Sequence, residues 1–274
     1  MIPNVLTIAG TDPTGGAGIQ ADLKAFSAQG AYGMSVITAV VAQNTQGVQG
    51  FVALEPGFVA DQIAAVFEDV RVDAVKIGMV ANAAIAEAIA ESLDRYARCP
   101  VVLDPVMVAK SGDHLLEQDA VDTIRERLVP RSTVITPNLP EASVLLGRDT
   151  EIGDLAGMRE ALDELRGLGA EWVLLKGGHL GRGESVDILT GAETIELTAP
   201  RVDTVNDHGT GCTLSAAITA LLPGHAVPVA VQHAKEYLTE ALRRADELEV
   251  GSGHGPVHHF HALWGDAPDR GGER

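Results

Sequence analysis

The chain has 274 residues, 46% of them hydrophobic, and a net charge of −18. That is enough to bury the core of one large α/β domain spanning 1–274, while the acidic balance argues against nucleic acid as a partner and leaves any phosphorylated ligand to local cations and backbone N–H groups. No apolar run approaches the ~18 residues needed to span a bilayer, the opening residues carry no basic leader, and Cys99 and Cys212 show neither disulfide nor zinc-ligand spacing, so a soluble, cytoplasmic protein is expected.

Residues 5–9 form a short apolar, β-branched run that stops at Gly10-Thr11-Asp12-Pro13-Thr14-Gly15-Gly16-Ala17-Gly18, where a helical pattern takes over. Two nucleotide motifs nearly fit and fail. Gly10 and Gly15 have P-loop spacing, but Gly16-Ala17 stand where Lys and Ser/Thr are required. Gly16 to Ala21 reads G-x-G-x-x-A, yet no acidic residue lies between Asp22 and Glu55 to hold a ribose, so a dinucleotide site is not expected. Ile19, Asp22, Leu23 and Phe26 recur at helical steps, which places the Asp22 carboxylate on or beside the inward face. A carboxylate there needs either a core donor or a ligand amine. Residues 34–41 read as the next strand, ending in Gln43-Asn44-Thr45, groups suited to a polar heterocycle; residues 47–54 read as an edge strand or flap.

From there strands and helices alternate. Helical patterns run through Phe58, Ile63 and Phe67, through Ile85, Ile89 and Leu93, through Leu155, Leu162 and Leu168, and along 227–248. Strands at 74–78, 101–103, 133–136 and 172–175 lead to Gly78, Asp104, Asn138 and Lys176, and 185–197 reads as a hairpin turning at Gly191. This alternation predicts an α/β fold with a mainly parallel central sheet flanked by helices on both faces. Ligands of such sheets bind beyond the carboxyl ends of the strands, where Gly10, Asp12, Gln43, Asp104, Asn138 and Lys176 fall. Singly, each has a plainer reading: Asp104-Pro105 as a turn, Asn138 to Glu141 as a helix start, Lys176-Gly177-Gly178 as a strand end.

Asp207-His208-Gly209-Thr210-Gly211-Cys212 then runs into an Ala/Leu-rich helix. Its first N–H groups lack intrahelical partners and its dipole adds positive charge, so the junction suits an anion, phosphate above all. A thiol at that position is expected to have a lowered pKa, making Cys212 a candidate base or nucleophile. With Lys176 beside the junction and carboxylate and amide oxygens able to hold Mg²⁺, the set is equipment for phosphoryl transfer.

At that point the chain resembles the hydroxymethylpyrimidine/phosphomethylpyrimidine kinases of thiamine biosynthesis, within the ribokinase-like group, over nearly its whole length. The resemblance rests on Leu6-Thr7-Ile8-Ala9-Gly10-Thr11-Asp12-Pro13 with residues 15–24, on Val41-Ala42-Gln43-Asn44-Thr45, and on Lys76-Ile77-Gly78-Met79. It continues through residues 104–112, Thr136-Pro137-Asn138-Leu139-Pro140-Glu141, Lys176-Gly177-Gly178-His179 and residues 208–213. It implies a ribokinase-like fold and an ATP- and Mg²⁺-dependent kinase that phosphorylates 4-amino-5-hydroxymethyl-2-methylpyrimidine to its monophosphate and then to the pyrophosphate. Carried over by position, Gly10, Asp22, Gln43 and Met79 contact the pyrimidine, with Asp22 accepting from the ring amine. Gly209, Thr210, Gly211 and Cys212 form an anion hole; Asp104, Asn138 and Glu141 arrange Mg²⁺ and its waters; Lys176 neutralises ATP phosphates. Cys212 stands where sugar kinases of the wider group have an aspartate base, and a homodimer is implied. Asp207 departs from the common Thr, and a carboxylate there weakens phosphate binding unless it points away. The tail histidines, His254, His258, His259 and His261, are expected to dock and pack rather than bind metal. The rival readings are a pyridoxal kinase of the same branch, a sugar kinase, and a non-catalytic pyrimidine sensor.

Overall fold

The computed structural model describes residues 1–107, 118–148, 150, 152–178, 180 and 183–264. Residues 108–112 and His179, parts of two motifs above, lie outside the described residues. The apolar, β-branched runs form the strands of one sheet: β1 (Asn4–Ala9), β2 (Tyr32–Ile37), β5 (Ala74–Ile77), β6 (Val101–Leu103), β7 (Val134–Ile135), β8 (Trp172–Lys176), β9 (Ser185–Thr190) and β10 (Thr194–Ala199). They lie in the order β10-β9-β8-β7-β6-β5-β1-β2. Pairing is parallel from β2 through β8 and antiparallel for β9 and β10.

Strands β5, β6 and β7 are buried along their whole length. They read as continuous apolar runs because helices cover both sheet faces. On one face, Leu6, Ile8, Val75, Ile77, Leu103 and Ile135 pack against α2 (Pro56–Asp69), α3 (Ala83–Tyr96), α5 (Leu139–Leu145) and α6 (Leu155–Gly167). On the other, Val5, Ala74, Val102, Val134 and Leu174 pack against α1 (Gly18–Ala28), α7 (Thr210–Leu221) and α8 (Val227–Arg243). Helix α7 is buried from Thr213 to Ala220, which its small residues permit. Helix α4 (Gln118–Thr123) and the wider π turn after it, Ile124–Leu128, were not singled out in the sequence, although Ala120, Val121, Ile124 and Leu128 have helical spacing and pack in the core. No helix among the described residues is long and apolar enough to cross a membrane.

One predicted strand divides. The run at 34–41 is split at Thr38 into β2 and β3 (Ala39–Asn44), which leaves the main sheet and pairs antiparallel with β4 (Gly47–Ala53). The buried Thr38 makes the corner: its N–H donates to Ala9 O (3.0 Å) and its Oγ1–H to Met79 O (2.6 Å). Residues 47–54 therefore belong to a hairpin standing off the sheet, next to the ends of β1 and β5.

Candidate active site

The strand ends place the polar residues in one cluster with the starts of α1 and α7. Gly209 caps α7 in the left-handed region (φ 78°), and a Cβ there would lie 1.8 Å from Gly16 O. Only glycine lets the two loops interlock. Thr210, Gly211 and Cys212 follow as the first helical residues, whose N–H groups have no partner within the helix. A Cβ on Gly211 would lie 3.3 Å from Lys176 Nζ and 3.7 Å from Asp104 Oδ2, so the helix start faces both groups. Gly209→Ala is expected to destabilise the fold by at least about 2 kcal/mol, as read by Tm; a variant with wild-type Tm would show that the loops can part.

Lys176, the last residue of β8, donates to Asp104 Oδ1 (3.1 Å) and lies 4.0 Å from Glu141 Oε2. Asp104 also accepts from Thr136 Oγ1 (3.2 Å) and Ser215 Oγ (3.1 Å). Asn138 and Glu141 form a reciprocal cap on α5: Asn138 Oδ1 accepts from Glu141 N–H and Glu141 Oε2 from Asn138 N–H, both at 2.8 Å. The plain helix-start reading thus holds for this pair, and the cap also aims Glu141 at the lysine. Burial disfavours charge on Lys176, but Asp104 and Glu141 outweigh it and hold the ammonium above its usual range. Burial likewise works against Asp104, yet Lys176 and Lys76 keep its carboxyl below the usual range.

Glu141 goes the other way: burial, reinforced by Asp104 and only partly offset by Lys176, pushes its carboxyl up to about 7. A carboxyl raised in this way binds its proton more tightly in the fold. Its contribution to stability is fully present below pH 4.5 and lost as pH rises through about 7. Glu141→Gln keeps an oxygen for the Asn138 N–H and removes the charge. In metal-free buffer it is expected to be more stable than the wild type by on the order of 1–3 kcal/mol at pH 8, the difference fading toward pH 5. Equal Tm values at both pH values would contradict this.

On the other side of the α7 start, a Cβ on Gly10 would meet Met79 Sδ at 3.2 Å, so these two candidate ring contacts adjoin. Gln43, on β3, lies beside Asp12. Burial works against charge on Asp12, but hydrogen bonds from His208 and Thr14 outweigh it and hold its carboxyl well below the usual range. Asp22 lies where its helical spacing predicts, and it has core donors: Lys76 Nζ at 2.9 Å from each carboxylate oxygen and Thr7 Oγ1 at 2.6 Å from Oδ2. Both members of this ion pair are 0% exposed. Burial opposes the Lys76 charge, and Asp22, Cys212 and Asp104 outweigh it, so Lys76 stays protonated. Sequence reasoning quoted Lys76 without giving it a role; a lysine inside a four-residue buried strand was the available signal, since it demands an anion.

The expected acidic thiol is not found. Cys212 is partly buried, and burial, with Asp22 and Asp104 adding to it, pushes the thiol up to about 11 against the opposing effects of Lys76 and the Gly18 N–H. The positive helix end is there; desolvation and two carboxylates outweigh it. Asp207 is turned toward the tail, where its Oδ1 lies 3.0 Å from His254 Nδ1. The other tail histidines are set into the fold: His259 Nε2 bonds Thr213 Oγ1 (3.0 Å), His258 N–H donates to Ala241 O, and the His261 ring lies 5.4 Å from that of Tyr237.

The start of α7, with its uncapped N–H groups, faces a lysine that is ion-paired to Asp104 and close to Glu141, and the loop that follows Gly10, whose neighbour is Met79, packs against the same turn. That is an arrangement for moving a phosphoryl group onto a small polar acceptor. The chain matches the family described as phosphomethylpyrimidine kinase over residues 12–258. It is 58% identical over 266 residues to the hydroxymethylpyrimidine/phosphomethylpyrimidine kinase of Escherichia coli strain K12, covering 95% of this chain and 98% of that relative. Among solved structures, an ADP complex of Bacillus subtilis pyridoxal kinase has a TM-score of 0.86 at 37% identity, covering 96% of this chain and 99% of that one. The phosphomethylpyrimidine kinase of Clostridium difficile 630 has a TM-score of 0.77 at 46% identity, covering 88% and 99%. With the ribokinase-like sheet and matches over nearly its full length, the chain is a phosphotransferase that belongs to the phosphomethylpyrimidine kinase family.

Proposed function

We propose that this protein phosphorylates 4-amino-5-hydroxymethyl-2-methylpyrimidine with ATP, and then its monophosphate to the pyrophosphate, in thiamine diphosphate biosynthesis. The observation that carries the reading is the position of the α7 start, with Lys176 and Asp104 against Gly211, and with Gly10 next to Met79 and packed on Gly18 at the start of α1. Gly10, Gln43 and Met79 frame the ring, and Asp22, whose carboxyl burial raises above the usual range against the opposing pull of Lys76 and Thr7, presents an acceptor for the ring amine. The N–H groups from Gly209 to Cys212 receive the transferred phosphoryl oxygens, while Lys176 neutralises ATP phosphates. Cys212, in its thiolate form, takes the hydroxymethyl proton as that oxygen bonds to the γ-phosphorus and ADP leaves.

The residues fit Mg²⁺. Glu141 is a buried carboxylate that lacks full charge compensation, Asp104 lies beside the same lysine, and Mg²⁺ is held by one or two carboxylates with water and phosphate. Asp104 and Glu141 would hold the ion, partly through water, and Asn138 would fix Glu141 through the cap. When bound, the ion would neutralise phosphate charge. The enzyme acts in the cytoplasm as a single-domain chain that pairs into a homodimer; the dimer is supported by Val40 and Val52, which face each other across the hairpin and are 52% and 68% exposed.

An ADP-release assay with hydroxymethylpyrimidine, pyridoxal and ribose, with and without EDTA, tests this reading. The pyrimidine is expected to have the highest kcat/KM, and EDTA to abolish turnover. A preference for pyridoxal would make the protein a pyridoxal kinase of the same branch, and tight pyrimidine binding without turnover would make it a sensor.

A further inference from the structure

The loop after β1 and the loop before α7 come from distant parts of the chain, and one fully buried carboxylate joins them. Asp12 Oδ1 accepts from the N–H (2.9 Å) and Oγ1–H (2.7 Å) of Thr14. Its Oδ2 accepts from the N–H groups of Gly16 (3.1 Å) and Ala17 (2.8 Å), and from His208 Nε2 at 2.8 Å. A carboxylate has about four lone-pair sites, so these donors leave Asp12 no capacity for a ligand, and its task is positional.

What it positions lies one residue further along each loop. Ala17 precedes Gly18, the first residue of α1, whose backbone N–H lies against the Cys212 thiol. His208 precedes Gly209, the cap of α7. From behind, the tail fixes His208, whose N–H donates to Gly255 O at 3.0 Å. The loops also interlock sterically, since a Cβ on Gly16 would lie 2.5 Å from His208 Cδ2.

We propose that the Asp12–His208 pair is a positioning latch that holds the starts of α1 and α7 together around the Cys212 sulfur, and so sets the geometry across which the phosphoryl group moves. The kinetic consequence rests on the kinase reading above; the structural consequence does not. The test compares His208→Ala with His208→Gln in the full-length chain, glutamine retaining an N–H donor for Asp12. In His208→Ala, backbone amides of 15–18 and 209–211 are both expected to exchange with deuterium roughly tenfold faster or more, with β5 and α8 unchanged. For hydroxymethylpyrimidine, kcat is expected to fall about tenfold or more with KM within about threefold, and His208→Gln to recover most of both effects. The latch is overturned by faster exchange confined to 206–211, by equal loosening of β5 and α8, or by identical behaviour of the two variants. A wild-type protein inert toward the pyrimidine would remove the function proposed above, and the exchange result would still decide on the latch.

Discussion

Cys212→Ala is expected to lower kcat by roughly 10²–10⁴ with the pyrimidine KM changed less than about threefold, because the thiol acts on the moving proton rather than on the ring. The raised thiol determines how this should depend on pH. With a pKa of about 11, only about one site in a thousand carries thiolate at pH 8. The active base is the deprotonated form, so log kcat of the wild type should climb with pH toward that value, and Cys212→Ala should lose the climb along with the rate. Cys212→Ser separates the two roles open to this residue. A hydroxyl at the same place cannot ionise in this range, so a serine variant as slow as the alanine one identifies a base. A serine variant near wild-type rate assigns Cys212 to the anion hole through its backbone N–H alone.

Lys76→Met is expected to destabilise the fold by about 3–5 kcal/mol, because it leaves the Asp22 carboxylate buried beside Thr7 without its counter-charge. For a chain of this size the loss corresponds to a fall in Tm of about 10 °C. The double variant Asp22→Leu/Lys76→Met replaces both charges by apolar groups, and should recover most of the stability, since a buried pair is often no better than well-packed apolar groups of similar volume. On the proposed function, that recovered protein should bind the pyrimidine poorly, because the acceptor for the ring amine is gone. Calorimetry of the three proteins with pyrimidine titrations checks both parts. A single variant as stable as the wild type would mean that water or another donor reaches Asp22, and unchanged pyrimidine affinity in the double variant would make Asp22 structural.

The amino-acid sequence by itself determined where most strands and helices fall and which ends carry chemistry. Hydrophobic periodicity is local, so Val101-Val102-Leu103 before Asp104, the Ala/Leu run after Gly211 and the inward turn of Asp22 were all readable from a few neighbouring residues. Tertiary structure decided what required distant parts of the chain. Thr38 looks like any β-branched strand residue, and only its bonds to Ala9 and Met79 bend the chain into the separate hairpin. The partner of Asp22 comes from β5, far along the sequence, which no spacing rule could supply. Cys212 was legible as a helix-start thiol, but the sign of its pKa shift was not. That sign is a balance between a local helix dipole and the burial and charges contributed by Asp22, Lys76 and Asp104 from three other elements, and desolvation exists only once those elements have packed.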